Sequence, residues 1–204
     1  MKIKKKKFIY LISPLKIKKS FYSDLSKVLK TNKVGFFQLR LKKESFKKKL
    51  MIGKKIKKIC KKFNVKFLVN DDVFLTTKLN ADGCHLGQKD ISILDARKIV
   101  GNKIIGVTCH NSMRLAKNAI RNKADYIAFG AFNLSKTKRV KYRASIKILK
   151  KTRKIAKTPL VAIGGIKPNN YKKLLLNKAN FLAISGYIWK NKKIKPFEAI
   201  KKFK

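Results

Sequence analysis

Phe67-Leu68-Val69-Asn70-Asp71-Asp72, followed after a short segment by Ala81-Asp82-Gly83-Cys84-His85-Leu86-Gly87-Gln88-Lys89-Asp90, is the stretch whose reading decides the architecture. Each half holds a short, continuous apolar run that stops in a polar cluster. A strand reads this way when both of its faces are buried, as in a parallel sheet covered by helices. Working outward, runs of the same kind recur at Phe8–Ile12, Val34–Leu39, Ile104–Val107, Tyr126–Phe129, Leu160–Ile163 and Phe181–Ile184. With Phe67–Val69 and Gly83–Leu86 they make eight strand candidates.

Between them lie lysine-rich amphipathic stretches. Ser45–Phe63 sets Phe46, Leu50, Ile52, Ile56, Ile59 and Phe63 at helical spacing, and Ser112–Arg121 and Asn169–Leu176 behave likewise. Strands alternating with helices mean βα units and a parallel sheet. The expected fold is therefore α/β, a (βα)8 TIM barrel forming one domain over residues 1–204, with a doubly wound open sheet as the alternative. The segment between the third and fourth strands is too short for a full-length helix. A weak repeat, Asn80-Ala81-Asp82, Asn122-Lys123-Ala124-Asp125 and Asn177-Lys178-Ala179-Asn180, places Asn where a helix ends left-handed and Asp or Asn in the turn to a strand.

The chain has 204 residues and a formal net charge of +46, with nine acidic residues and only seven arginines among its cations. Such a balance attracts polyanions in general. The lysines are scattered over helices, with no arginine-rich arm, zinc-finger spacing or stacking motif, so a solvated surface is expected and specific nucleic-acid binding is not. Cys60, Cys84 and Cys109 form no paired spacing, which fits reduced, buried thiols in a cytoplasmic protein. Neither a signal peptide nor a membrane span is expected, since the apolar run after the basic start ends at Ser13-Pro14. The sequence is silent on oligomeric state.

Four of the nine acidic residues, Asp71, Asp72, Asp82 and Asp90, lie within residues 67–90. Asp72 and Asp82 read as cap or turn residues, while Asp71 and Asp90 read as ligands of a hard cation such as Mg2+, which takes one or two carboxylates and fills its shell with water and phosphate oxygens. Polar residues also follow other strand ends, where a barrel keeps its catalytic groups. Gln38-Leu39-Arg40-Leu41-Lys42 places its three polar side chains on one face, offering a planar fork and a mobile ammonium to an anion. Ser135-Lys136-Thr137-Lys138, Gly164-Gly165 and Ser185-Gly186 offer hydroxyls and approachable backbone at a second anion position. Thr108 and His110 close the fifth strand; His85, inside an apolar run, reads as packed or hydrogen-bonded. Two anion positions, one metal position and no nucleophile paired with a base point to a reaction in which phosphate or pyrophosphate leaves.

From Tyr10 to Trp189 the chain resembles the thiamine phosphate synthase family. The resemblance rests on Gln38-Leu39-Arg40-Leu41-Lys42, Val69-Asn70-Asp71-Asp72, Ala81 to Asp90, and Ala162-Ile163-Gly164-Gly165-Ile166. It implies condensation of hydroxymethylpyrimidine diphosphate with a thiazole phosphate, giving thiamine phosphate and pyrophosphate. By position it implies Mg2+ on Asp71 and Asp90. Gln38, Arg40, Lys42, Asn70, Thr108 and Lys138 would take the pyrimidine diphosphate, with Arg40, Thr108 and Lys138 nearest the chemistry. Ser135, Thr137, Gly165, Ile184 and Ser185 would take the thiazole phosphate. Gly130-Ala131-Phe132-Asn133-Leu134-Ser135-Lys136-Thr137-Lys138 departs from the family pattern in lacking prolines and in bearing Ser for Thr. Two alternatives stand beside this reading: a thiazole tautomerase on the same fold, which needs no metal, and a basic nucleic-acid-binding protein on a degenerate barrel.

Overall fold

A computed structural model describes residues 7–134 and 142–204. The eight expected strands are all present: β1 (Ile9–Ile12), β2 (Val34–Leu39), β3 (Lys66–Asn70), β4 (Gly83–Leu86), β5 (Ile104–His110), β6 (Tyr126–Gly130), β7 (Leu160–Ile163) and β8 (Phe181–Ile184). They pair in parallel in chain order, and β8 returns to β1, so the sheet is a closed barrel and the open-sheet alternative is excluded. The helices are α1 (Phe21–Lys30), α2 (Phe46–Lys62), α3 (Val73–Lys78), α4 (Ile93–Val100), α5 (Met113–Arg121), α6 (Lys147–Ile155), α7 (Lys172–Leu176), α8 (Gly186–Trp189) and α9 (Pro196–Lys201). As the short β3–β4 segment required, α3 has only six residues.

Continuous apolar strands supply two cores. Residues facing outward, such as Leu11, Leu39, Val69 and Cys84, pack with the helices in one large cluster. Those facing inward, among them Tyr10, Ile12, Leu68, Tyr126, Ala128, Val161 and Ala183, fill the barrel. Period-2 alternation separates the two sets along each strand. Helix starts follow their sequence signals: Ser45, Asp72, Ser92 and Ser112 each accept a backbone N–H from the third helical residue with their side chains. α2 buries Ile52, Gly53, Ile56 and Cys60, but Phe46, expected on that face, begins the helix and is 44% exposed.

The three-fold repeat is a structural clasp. The carboxylate of Asp82 accepts the Phe67 N–H at 2.9 Å, Asp125 accepts from Ile105 at 2.8 Å, and the Asn180 carbonyl accepts from Leu160 at 2.9 Å. Each thereby ties the entry of an even-numbered strand to the strand before it. A cation reinforces every one: Lys66 on Asp82, Arg97 on Asp125 and Arg153 on Asn180. The left-handed residue of each unit is Asn80 (φ 44°), Lys123 (φ 56°) or Lys178 (φ 77°), so in two of the three it lies one residue after the expected Asn.

The first and last strands are joined at their carboxyl ends. Trp189 donates its indole N–H to the Ile12 carbonyl at 2.7 Å and packs 4.9 Å from the Phe21 ring. Ser185 donates its hydroxyl to the Ser13 carbonyl, and the Ser13 hydroxyl oxygen accepts the Arg40 N–H. Cys60, Cys84 and Cys109 are free and buried, and no described lysine is buried. Among the described residues no helix is long and apolar enough to cross a membrane.

Candidate active site

The end of β3 brings the scarce carboxylates together. After Asn70 the backbone turns left-handed at Asp71 (φ 64°), a conformation Asp tolerates because its short polar chain adapts locally. The Asp71 N–H donates to the His85 carbonyl at 2.8 Å, fixing this turn to β4. Its carboxylate therefore stands at the barrel rim, 2.7 Å from the Lys42 ammonium. From the neighbouring loop, Asp90 faces it, oriented by the Gly87 N–H, which donates to its Oδ2 at 2.7 Å. Asp72 is turned away as the cap of α3 and Asp82 into its clasp, as expected of both.

The two rim carboxyls act on each other's ionisation. Burial raises Asp90, and the adjacent Asp71 charge raises it further. Burial also acts upward on Asp71, but the Lys42 ammonium and the Asp90 carboxyl outweigh it, and Asp71 lies below the usual carboxylate range. Two like charges forced together in this way are relieved by a cation. Among the described residues no cluster of three or more metal-ligating side chains occurs. The donor set is thus two hard oxygens, which suits a cation that completes its shell with water and phosphate oxygens. A cleft of about 490 Å³ opens here, lined by Lys42, Lys49, Asn70, Asp71, Phe74 and Asp90.

Strand β2 climbs from the barrel interior to this cleft. Leu39 and Leu41 point into the outer core, so Gln38, Arg40 and Lys42 take the other face. Gln38 is buried and donates its amide to the Tyr10 hydroxyl at 2.9 Å. Arg40 is partly buried and its charge is felt at His85, while Lys42 reaches Asp71. The expected polar face is real, but its three members sit at three depths.

Thr108 on β5 faces inward, its hydroxyl 2.8 Å from His85 Nε2. His85 Nδ1 lies 2.8 Å from the Tyr126 hydroxyl, which lies 2.7 Å from that of Tyr10. The ring is hydrogen-bonded, as its place in an apolar run led one to expect, and burial pushes His85 down to about 4, so it is neutral near pH 7. The His110 ring, at the strand irregularity, lies 4.3 Å from the Tyr142 ring at a tilt of 33°.

The second anion position is described only in part. Ser135, Thr137 and Lys138 lie outside the described residues. Gly164 (φ 105°) and Gly165 (φ 56°) end β7, and Ile184 and Ser185 end β8 on the same rim. The space beside both glycines is taken by the loop after β6: a Cβ on Gly165 would meet the Leu134 carbonyl at 2.2 Å. Here the missing side chains admit a neighbouring loop. The Ser185 hydroxyl is likewise engaged with Ser13.

Sequence reasoning passed over Tyr10 and Tyr126. Both sit in apolar runs and read there as bulk, yet a buried phenol needs a hydrogen-bond partner, and that requirement was the available signal.

Residues 9–188 match the family model described as thiamine monophosphate synthase. A curated relative from Pelagibacter ubique (strain HTCC1062), named thiamine-phosphate synthase, is 69% identical over 98% of this chain and 97% of its own length. A relative of the same name from Erythrobacter litoralis (strain HTCC2594) is 39% identical over 89% of this chain and 87% of its own. Among solved structures, a thiamine phosphate pyrophosphorylase from Pyrococcus furiosus superposes with a TM-score of 0.85 at 24% identity, covering 97% of this chain and 93% of that one. A 3-hexulose-6-phosphate synthase shares the fold at a TM-score of 0.65 and 15% identity, covering 96% and 98%.

Proposed function

This chain belongs to the thiamine monophosphate synthase family and acts as a thiamine-phosphate synthase, a transferase; from that premise we propose that it joins hydroxymethylpyrimidine diphosphate to a thiazole phosphate with Mg2+ held by Asp71 and Asp90. The observation that carries the metal reading is the meeting of two partly buried carboxyls at a rim where cations are otherwise in large excess. When bound there, Mg2+ would neutralise the departing pyrophosphate.

The chain's own groups do the rest. Arg40 and Lys42 hold diphosphate oxygens at the barrel rim, the fork fixing orientation and the ammonium following the charge as it moves. Asn70 and Gln38 set the pyrimidine, and Thr108 presents its hydroxyl from the barrel interior. Lys138 joins Arg40 and Lys42 on the diphosphate, and Ser135, Thr137, Gly165, Ile184 and Ser185 make up the thiazole phosphate side. The barrel interior excludes water from the reacting carbon, which must meet the thiazole nitrogen before it meets solvent. In this reading residues 1–204 act as one barrel domain in the cytoplasm, and the lysine surface carries no specific nucleic acid. The tautomerase and nucleic-acid alternatives give way to it.

The test is an assay of the purified protein with the two substrates, with and without Mg2+, following thiamine phosphate. Product that forms only with the metal is the expected result. Equal product after rigorous chelation would overturn the metal assignment, and no product from either substrate pair would overturn the substrates.

A further inference from the structure

Five polar side chains run in single file through the barrel, and the reaction as described uses only the two at its ends. Gln38 contacts Tyr10 at 2.9 Å, Tyr10 contacts Tyr126 at 2.7 Å, and Tyr126 contacts His85 Nδ1 at 2.8 Å. His85 Nε2 in turn contacts Thr108 at 2.8 Å. Gln38, Tyr10 and Tyr126 are no more than 3% exposed. A hydroxyl proton left without an acceptor in such a place is costly.

Counting protons leaves two arrangements. Each hydroxyl brings one proton and neutral His85 brings one, while the Gln38 amide offers a donor or an acceptor according to which way it is turned. With the Gln38 N–H donating, Tyr10 donates to Tyr126, Tyr126 to Nδ1, and Nε2–H to Thr108, whose own proton is then available to the site. With the amide turned over, its carbonyl accepts from Tyr10, and every bond runs the other way. His85 then carries its proton on Nδ1, and Thr108 spends its proton on Nε2. Any mixture leaves a contact with two protons, a contact with none, or a buried hydroxyl without an acceptor.

We propose that this file is a reversible polar relay joining Gln38 to Thr108, with Tyr126 and His85 as positioning residues for the synthase reaction. It rests on the reading that Gln38 and Thr108 touch the pyrimidine diphosphate. A pyrimidine bearing an amino group donates to the Gln38 carbonyl, which turns the amide N–H toward Tyr10. That choice runs down the file and leaves the Thr108 proton for a phosphate oxygen. An oxo-pyrimidine, which accepts where the amino group donates, selects the opposite direction and removes that donor. Discrimination between the two thus uses both ends of the substrate, although neither tyrosine reaches the diphosphate.

The experiment is 15N NMR of the histidine rings in the full chain, whose only histidines are His85 and His110. Ligand-free wild type, Gln38→Glu, Tyr126→Phe and the double variant are compared near pH 8. Ionised Glu can only accept, so with the new carboxyl charged Gln38→Glu should move the His85 proton from Nε2 to Nδ1, and adding Tyr126→Phe should abolish that response. An unchanged His85 tautomer in Gln38→Glu, or a response that survives in the double variant, overturns the relay. A second reading uses turnover: Tyr126→Phe should reduce the preference for amino- over oxo-pyrimidine diphosphate by about tenfold or more. A purely structural role would slow both equally and overturn the proposal. If the tautomer responds but the wild type binds no pyrimidine diphosphate, the relay stands and the substrate reading fails.

Discussion

The Lys42 ammonium lies 2.7 Å from the Asp71 carboxylate and occupies the ground that a metal ion would contest. A half-exposed ion pair of this kind is worth little in itself. Its importance is that one cation must give way to another. Lys42→Met is therefore expected to tighten Mg2+ binding to the substrate-free protein, and Asp71→Asn to weaken it by more than about tenfold. Calorimetric titration with Mg2+ alone reads both. Equal affinity in wild type and Asp71→Asn would place the metal elsewhere.

The clasp residues should matter for stability and not for chemistry. Asp125→Ala leaves the Ile105 N–H without its acceptor and Arg97 without its carboxylate, at an expected cost of about 1–3 kcal/mol. Urea unfolding measures the loss, and turnover per folded molecule should hold. A fall in turnover at constant stability would show that this end of the barrel communicates with the rim.

Gly106 lies directly behind the Tyr126 ring: a Cβ there would come within 1.8 Å of the ring's Cζ. Gly106→Ala must displace the ring, at about 1–3 kcal/mol for overpacking. It should also disturb the His85 ring signals, because Tyr126 cannot move without releasing Nδ1. A stable variant with unchanged His85 signals would contradict the packing described.

The same residues give an alkaline limit. Burial holds the phenols of Tyr10 and Tyr126 above their ordinary value. In the unfolded chain each ionises near pH 10, so the stability they lend is complete below that pH and falls as pH rises beyond it. The slope is about 1.4 kcal/mol per pH unit for each phenol. Lysines titrate in the same range, so the informative quantity is the difference between wild type and Tyr126→Phe. The variant should lose less stability between about pH 10 and 11; parallel losses would count against the tyrosines.

Much of this was legible in the chain because a strand buried on both faces writes itself as an unbroken apolar run, and each of the eight did. Ser45, Asp72 and Ser112 announced helix starts through side chains with one local task. Asp71 and Asp90 stood out because carboxylates are scarce here. What stayed hidden depends on direction in three dimensions. Tyr10 and Tyr126 look like any other apolar strand residue until inward-facing neighbours bring their hydroxyls together. The left-handed positions slipped by one residue because the backbone puts Lys123 and Lys178, not the preceding Asn, at the reversal. Gly164 and Gly165 were correctly unusual, but a glycine marks only a close approach, and the approaching group is the loop after β6.

Trp189 is the one tryptophan of the chain, and its indole rests on Ile12 where the last strand closes on the first. Nature has thus placed a single fluorophore on the seam of the barrel. Its emission should shift when that seam parts, giving an optical record of opening without an added label.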